Sequence, residues 1–331
     1  MSLNRPSACR FELTFRCVLH CRHCYTDCFN KKAYSKKELT TKEVKFVLDR
    51  LACAGVIWLC LSGGDPIVRD DFLEIYAYAR KKGFITTIFT NGYSLNRRII
   101  KYLKKNPPFV IEITLNAVDK DLYEKISRIQ GSFAKTMRGI GLILDSCLQF
   151  KIKTQVTKDN FKHLPQIKKY LKGIGSNFTP NHILYPNLNG DIAPCKLRIT
   201  PEQVLGLYHF KKQSNDGCEG SSSRNIESRF YPCVISSADG IYVDPYGNMF
   251  LCDLLRKPKV NLLRADIKSG LNRLSSYMAK EEFKTDSKCR DCNLRPLCGW
   301  CPGKAYLETG GKEKPLDYYC RLTRLFKKHE I

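Results

Sequence analysis

The sequence lacks long apolar runs and is short of acidic residues. No stretch reaches the roughly 18 consecutive apolar residues that a transmembrane helix needs. The first residues also lack the basic and then apolar pattern of a signal peptide. We therefore expect a cytoplasmic protein with no membrane span.

The shortage of acidic residues leaves a strongly basic chain. Asp and Glu number 32 against 56 Lys and Arg, which gives a formal net charge of +24. Such an excess first suggests nucleic acid. The count treats every cysteine as neutral, however, and the lysines are scattered in pairs such as Lys81-Lys82 and Lys104-Lys105. A nucleic-acid partner is therefore disfavoured, and an acidic peptide or another anionic partner fits somewhat better.

The chain has 17 cysteines, which is unusual without an export signal. Disulfide frameworks belong to oxidising compartments, so these thiols indicate metal or clusters in a reducing one. Three of them, Cys17, Cys21 and Cys24, follow an apolar run at a Cys-x-x-x-Cys-x-x-Cys spacing. Four thiols would close a zinc site. Three thiols hold a [4Fe–4S] cluster with one iron free, and this alternative is favoured over zinc or over accidental thiols.

The triplet and the following Tyr25 resemble the signature of the radical S-adenosylmethionine (radical SAM) enzymes. The resemblance implies that the open iron binds SAM, and that one electron cleaves it to methionine and a 5′-deoxyadenosyl radical. That radical abstracts hydrogen from carbon. An electron donor such as flavodoxin or ferredoxin is implied, and Tyr25 is expected beside the adenine.

Strands and helices alternate at least five times after residue 8, with short connections. The apolar runs 56–61 and 84–89 are typical of strands buried on both faces. This alternation predicts parallel βαβ units in an α/β fold. It matches the partial (β/α)6 barrel of the family, with a small cysteine-rich C-terminal domain. We expect the barrel over 8–200, a linker over 201–232 and the second domain over 233–325.

Polar residues follow several predicted strands, where ligands of such sheets bind. Gly63-Gly64-Asp65-Pro66 resembles the family's Gly-Gly-Glu-Pro motif, with Asp in place of Glu. A tight turn before a helix is the alternative. Turn chemistry is also an alternative for the other expected SAM contacts. The full set of expected SAM contacts is Tyr25, Gly63, Gly64, Asp65, Thr90, Asn91, Thr114, Asn116 and Gln155.

Seven cysteines follow residue 232, more than one zinc needs. They resemble the SPASM domain, which holds two auxiliary [4Fe–4S] clusters in radical SAM enzymes. The resemblance implies that ligation crosses over. Cys233, Cys252 and Cys301 would hold the first cluster, and the second would be held by Cys289, Cys292, Cys298 and Cys320. Cys218 is the nearest candidate for the fourth ligand of the first cluster, Cys195 is a less favoured one, and an open iron that binds substrate is the alternative.

Asp253 directly follows Cys252, where family members of the sulfatase-maturing type have an aspartate proposed to take a proton. An exposed turn residue is the alternative. We expect an oxidoreductase that modifies a peptide or protein, with a separate leader-peptide-binding protein as a conceivable delivery partner. A radical SAM enzyme for a small molecule or RNA, and a zinc-binding interaction protein, remain open alternatives.

Overall fold

The computed structural model describes residues 6–26, 37–212, 230–231 and 240–330, without the side chains of 209–212. Across these ranges, no helix combines the length and the apolar character needed to cross a bilayer.

Six parallel strands in consecutive order form the main part of the sheet. Each strand pairs in parallel with the next one in the chain, from β1 to β6. The sheet is not closed, so the predicted α/β fold with a partial barrel is confirmed. The strands are β1 Ala8–Thr14, β2 Trp58–Gly63, β3 Ile85–Thr90, β4 Val110–Thr114, β5 Phe150–Gln155 and β6 Thr179–Asn181.

The helices cover one face of this sheet. Thr40 caps α1 through a capping box with Glu43, as the Thr-x-x-Glu pattern predicts. The connection between β4 and β5 contains α4 as well as α5, and the sequence reasoning missed α4. The described helices are α1 Thr41–Cys53, α2 Phe72–Lys81, α3 Arg97–Lys105, α4 Lys120–Ser127, α5 Ser132–Leu144, α6 Leu164–Gly173, α7 Pro201–Lys212, α8 Ile267–Lys280, α9 Pro302–Thr309 and α10 Asp317–Lys328.

Strand β1 has two chemically different faces. Cys9, Phe11 and Leu13 are buried in the apolar core beneath the helices. Arg10 and Glu12 alternate with them and therefore point to the inside of the partial barrel. The inside of this barrel is thus charged, while the helix-covered side is apolar.

The C-terminal strands continue the same sheet. Strand β7, Gly240–Val243, pairs in parallel with β1, and β8, Asn248–Phe250, pairs antiparallel with β7. Asp244 accepts hydrogen bonds from the backbone N–H groups of Tyr246 and Asn248 and so closes the turn between β7 and β8. A third short strand, β9 Val260–Asn261, completes this part. The cysteine-rich half is therefore hydrogen-bonded directly to the first barrel strand, and the domain boundaries remain a prediction.

Gly63 and Gly64 lie where the end of β2 touches the end of β1. A Cβ on Gly63 would lie 2.1 Å from the Thr14 backbone oxygen, and one on Gly64 would lie 2.3 Å from that of Arg16. Gly63 also has a φ of +131°. The two glycines therefore let β2 approach the backbone that leads into Cys17.

We expect Gly63→Ala to lower the free energy of unfolding by at least about 2 kcal/mol, because the methyl group meets fixed backbone at a positive φ. The matched control is Gly83→Ala, which has a φ of +87° but nothing within 4 Å of the added Cβ. Its cost should be about 1 kcal/mol. Urea unfolding of the iron-free proteins, followed by circular dichroism, measures both, and equal losses would contradict the close approach.

Candidate active site

The loop after β1 brings Cys17, Cys21 and Cys24 into one electrostatically coupled group. Each of the Cys17 and Cys21 thiols is affected by the charges of other members of the triplet. Burial, followed by the nearby Asp65 carboxylate, raises the pKa of Cys17 to about 12. Without a positive partner these thiols would stay protonated. Iron would compensate the charge of the thiolates, so the donor set fits a cluster.

Short hydrogen bonds hold this loop in place. The backbone N–H of His20 donates to Ser127 O at 2.9 Å, and that of Arg22 to Ile126 O at 3.1 Å. Both acceptors are at the end of α4. Arg22 also forms an ion pair with Asp159 at 2.6 Å. The missed helix thus supports the cysteine loop, and its sequence signal was Asp119, which caps it through Leu122 N.

Asp65, Thr90 and Asn91 form one network beneath the loop. The fully buried Asp65 carboxylate accepts from Thr90 Oγ1 at 2.8 Å, from Asn91 N at 3.1 Å and from Ile67 N at 3.1 Å. Burial raises the pKa of Asp65 to about 6 despite these bonds. Asn91 Nδ2 in turn donates to Cys17 Sγ at 3.4 Å. Asp65 therefore ties the ends of β2 and β3 to the cysteine loop, and a contact with SAM stays a prediction.

Asn116 and Gln155 lie on the same edge of the sheet, next to His23. Asn116 Nδ2 is 3.4 Å from His23 Nε2, and burial lowers the pKa of His23 to about 4. Asn116 Oδ1 accepts from Gln155 N. The Gln155 side chain instead donates to the backbone of β6 and the residues after it, at Asn181 O and Ile183 O. Gln155 thus holds β6 in place. Thr114 ends β4 on this edge as expected.

The C-terminal cysteines fall into two further groups. Burial, and to a smaller extent the charge of the Cys301 thiolate, raise the pKa of Cys252. Burial and the charges of Cys320, Cys298 and Cys292 raise the pKa of Cys289. The division into two ligand sets that the SPASM resemblance implies stays a prediction. Cys218 and Cys233 lie outside the described residues.

In the described ranges, no group of three or more Cys, His, Asp or Glu side chains is placed to hold a metal ion.

Two ion pairs connect β1 to the segment after Cys252. Arg10 Nη1 donates to Asp253 Oδ2 at 3.2 Å. Arg256 donates to both oxygens of Glu12, at 2.6 and 2.9 Å. Glu12 is 3% exposed, so the second pair is buried. The sequence reasoning found Asp253 but missed its partner Arg10 and the Glu12–Arg256 pair. The sequence feature that could have revealed Arg10 and Glu12 is the presence of charged residues at alternate positions of the otherwise apolar strand β1.

Tyr25 lies in this same region. Its ring packs edge-on against Tyr185, with centroids 6.4 Å apart. Burial raises the pKa of Tyr25; the nearby Glu12 carboxylate raises it further, and the Arg10 guanidinium lowers it. The residue expected to contact SAM therefore borders the ion pairs inside the barrel.

Comparison with known proteins identifies the fold and its chemistry. A model of the Radical SAM superfamily matches residues 11–152, which include the end of β1, the cysteine triplet and strands β2, β3 and β4. Residues 11–152 are a radical SAM domain, and the chain is an enzyme. The C-terminal extension is consistent with a SPASM domain. The predicted resemblance is thereby confirmed.

The radical SAM enzyme resembles proteins with different substrates. It is 24% identical over 343 residues to an AdoMet-dependent heme synthase of Methanosarcina barkeri, covering 96% of this chain and 97% of that protein. It is 28% identical over 340 residues to the PqqA peptide cyclase of Granulibacter bethesdensis, covering 93% and 86%. Its fold matches Streptococcus suis SuiB bound to the precursor peptide SuiA, with a TM-score of 0.72 and 16% identity, over 96% of this chain and 76% of that one.

The match to the Radical SAM superfamily implies one [4Fe–4S] cluster and SAM. Cys17, Cys21 and Cys24 are the thiols that would hold this cluster, because they match the triplet of the family and lie inside the matched segment. The two glycines bring the end of β2 directly against the backbone that leads into this loop. A contact of Gly63 or Gly64 with SAM stays a prediction.

We expect anaerobically reconstituted protein to bind about twelve irons per chain, in three groups of about four. Replacing Cys17, Cys21 and Cys24 by Ala should remove one group, and replacing Cys289 and Cys292 should remove another. The matched control replaces Cys53 and Cys147, two exposed thiols outside the groups, and should change nothing. Iron and acid-labile sulfide analysis measures the unaltered protein and the three variants. One or two zinc ions with no sulfide would contradict the assignment.

Proposed function

We propose that this radical SAM enzyme oxidises a side chain of a peptide or protein, using two auxiliary [4Fe–4S] clusters. Cys252, Cys301 and the undescribed Cys233 would hold the first auxiliary cluster, with Cys218 as a candidate fourth ligand. Cys289, Cys292, Cys298 and Cys320 would hold the second. Their grouping in the fold supports this division. The many thiols suit a reducing compartment such as the cytoplasm.

The observation that carries the proposal is the position of Asp253. It follows Cys252 directly, and its carboxylate is held by Arg10 on the inner face of β1. A proton acceptor is thus fixed between the auxiliary thiols and the interior of the barrel. This is the place where a substrate that loses a hydrogen atom must then lose a proton and an electron.

When bound, the N-terminal cluster and SAM supply a radical that abstracts hydrogen from carbon. The side chains of the protein position the cysteine loop and the proton acceptor for this chemistry. Asn91 donates to Cys17, Asp65 fixes Asn91, and Tyr25 borders the barrel interior. Asp253 accepts the proton at a carboxylate oxygen. Arg10 keeps that oxygen oriented towards the barrel.

The charge inside the barrel favours a peptide over a polycarboxylate. Arg256 pairs with Glu12, Arg10 with Asp253 and Lys153 with Glu112. Phe89 lies between two of these cations, at 5.4 Å from Arg10 Cζ and 4.2 Å from Lys153 Nζ. Each of these inner cations is thus matched by an acid. A substrate with several carboxylates would have to displace these acids, whereas a peptide backbone would not.

The second candidate is the modification of an iron tetrapyrrole. The heme-synthase relatives favour it, because they align with nearly the whole chain. Arg10, Arg256 and Lys153 would then have to exchange their present partners for propionate groups. Loss of carbon dioxide from the tetrapyrrole would distinguish this candidate from removal of two hydrogens from a peptide.

The proposal also includes the division into domains and the partners that supply electrons and the peptide. The barrel over 8–200 and the auxiliary domain over 233–325, joined by a linker, are the units that we propose. An external electron donor such as flavodoxin or ferredoxin would reduce the N-terminal cluster. A separate leader-peptide-binding protein could present the peptide.

The test incubates the enzyme anaerobically with SAM, dithionite and synthetic peptides encoded beside its gene, with iron tetrapyrrole carboxylates in parallel. Mass spectrometry should show a peptide that has lost two hydrogens. Loss of carbon dioxide from the tetrapyrrole, with unchanged peptides, would overturn the peptide proposal in favour of the second candidate.

Asp253→Asn should lower formation of the oxidised product by a factor of about 10² or more, because a positioned base is lost. Formation of 5′-deoxyadenosine should persist, since the SAM site is built by the barrel. The matched control is Asp145→Asn, an exposed residue at the end of α5. The same division should appear in the Cys292→Ala, Cys298→Ala double variant. Full product formation by the Asp253→Asn variant and by the double cysteine variant would mean that the auxiliary half has only a structural role.

A further inference from the structure

Helix α3 presents a face made entirely of cations. Ile99, Ile100 and Leu103 are its buried residues. The opposite face is exposed, and α3 contains no acidic residue. Within the described part of the chain, none of its cations forms an ion pair. These exposed cations are Arg97, Arg98, Lys101, Lys104 and Lys105.

The position of Arg97 and Arg98 is unfavourable for the helix itself. They occupy the first turn, where the helix macrodipole is positive and acidic side chains are stabilising. The first turn of α3 contains no acid. Helix stability therefore does not account for the two arginines, and a partner that binds them would.

Helix α5 and the end of α4 extend this charge. Gly139 of α5 packs directly against the loop before α3, because a Cβ there would lie 2.1 Å from Gly92 O. Lys135 and Arg138 are exposed on α5, and Arg128 is exposed just after α4. We name the combined surface the basic flank; it consists of Arg97, Arg98, Lys101, Arg128, Lys135 and Arg138.

The basic flank is connected to the N-terminal thiols. Tyr93 packs against the cluster of Phe15, Cys17 and Leu19, and its hydroxyl accepts from Lys135 Nζ at 2.8 Å. Its backbone N–H donates to Asn91 Oδ1 at 2.9 Å, and Asn91 donates to Cys17. The charge of Arg128 also acts on Cys21. The surface thus lies directly outside the cysteine loop, with one aromatic side chain between them.

We propose that the basic flank is the docking surface of an acidic one-electron carrier protein of the flavodoxin type. This inference rests on the N-terminal cluster of the proposed function. The reduced flavin loses one electron, and the oxidised cluster gains that electron; no atoms are exchanged. Charge complementarity would orient the carrier over Tyr93, beside the cysteine loop.

Nucleic acid is the other polyanion that such a surface could bind. The connection from Lys135 through Tyr93 to Cys17 favours the electron carrier, because binding of nucleic acid would not require contact with the cluster loop. A competing RNA duplex therefore belongs in the test.

The test uses the triple variant Arg97→Glu, Arg98→Glu, Lys101→Glu in the full, anaerobically reconstituted chain. The matched control is Lys162→Glu, Lys169→Glu, Lys172→Glu, which makes the same charge change on exposed residues of α6 and the turn before it. Stopped-flow measurement with purified flavodoxin gives the association rate at several salt concentrations. Iron content and circular dichroism verify folding of each variant.

The flank variant should bind flavodoxin about 10-fold more slowly or worse, with a weaker salt dependence, because steering by the surface is lost. The control should bind as the unaltered protein does. Formation of 5′-deoxyadenosine should fall with reduced flavodoxin but not with dithionite, which needs no docking surface.

Equal binding of flavodoxin by the two variants would overturn the docking proposal, and so would RNA that competes fully and loses its own binding in the flank variant. Failure of the proposed function gives a different result. The unaltered protein would then form 5′-deoxyadenosine with dithionite but leave the peptides unmodified, and the flavodoxin-binding comparison would still decide the docking surface.

Discussion

The buried pair of Glu12 and Arg256 is the constraint on which the arrangement of the two halves depends. Burying a carboxylate and a guanidinium is costly unless each finds a well-aligned partner. Here the guanidinium contacts both carboxylate oxygens and packs over the Phe250 ring at 4.8 Å. The pair therefore ties the segment after Cys252 to β1, and through β1 to the loop with Cys17.

The sequence was informative where the chemistry is local. The Thr40–Glu43 capping box, the glycine pair after β2 and the spacing of the N-terminal cysteines each act within a few residues. Their physical requirements can therefore be recognised without knowing the fold. The radical SAM family and the partial barrel followed from these local patterns and from the alternation of strands and helices.

Contacts across the chain could not be predicted in this way. Glu12 and Arg256 are 244 positions apart, and no sequence feature near either residue indicates that the two form a pair. The pairing of β7 with β1 is equally remote. Helix α4 was missed because it is only eight residues long. The donation of the Gln155 amide to the backbone carbonyls of Asn181 and Ile183 also joins separate strands and could not be predicted from the sequence, whereas its expected contact with SAM stays a prediction.

The parallel pairing of β7 with β1 has a consequence for how the molecule can be divided. Strand β1 is covered by β2 on one side and by β7 on the other. A barrel cut off before β7 would expose a row of unpaired N–H and C=O groups along its first strand, and such edges recruit other chains. The SAM-binding half is therefore not an independent module onto which different auxiliary halves could be exchanged freely. Any replacement would have to supply a strand for β1 and a cation for Glu12.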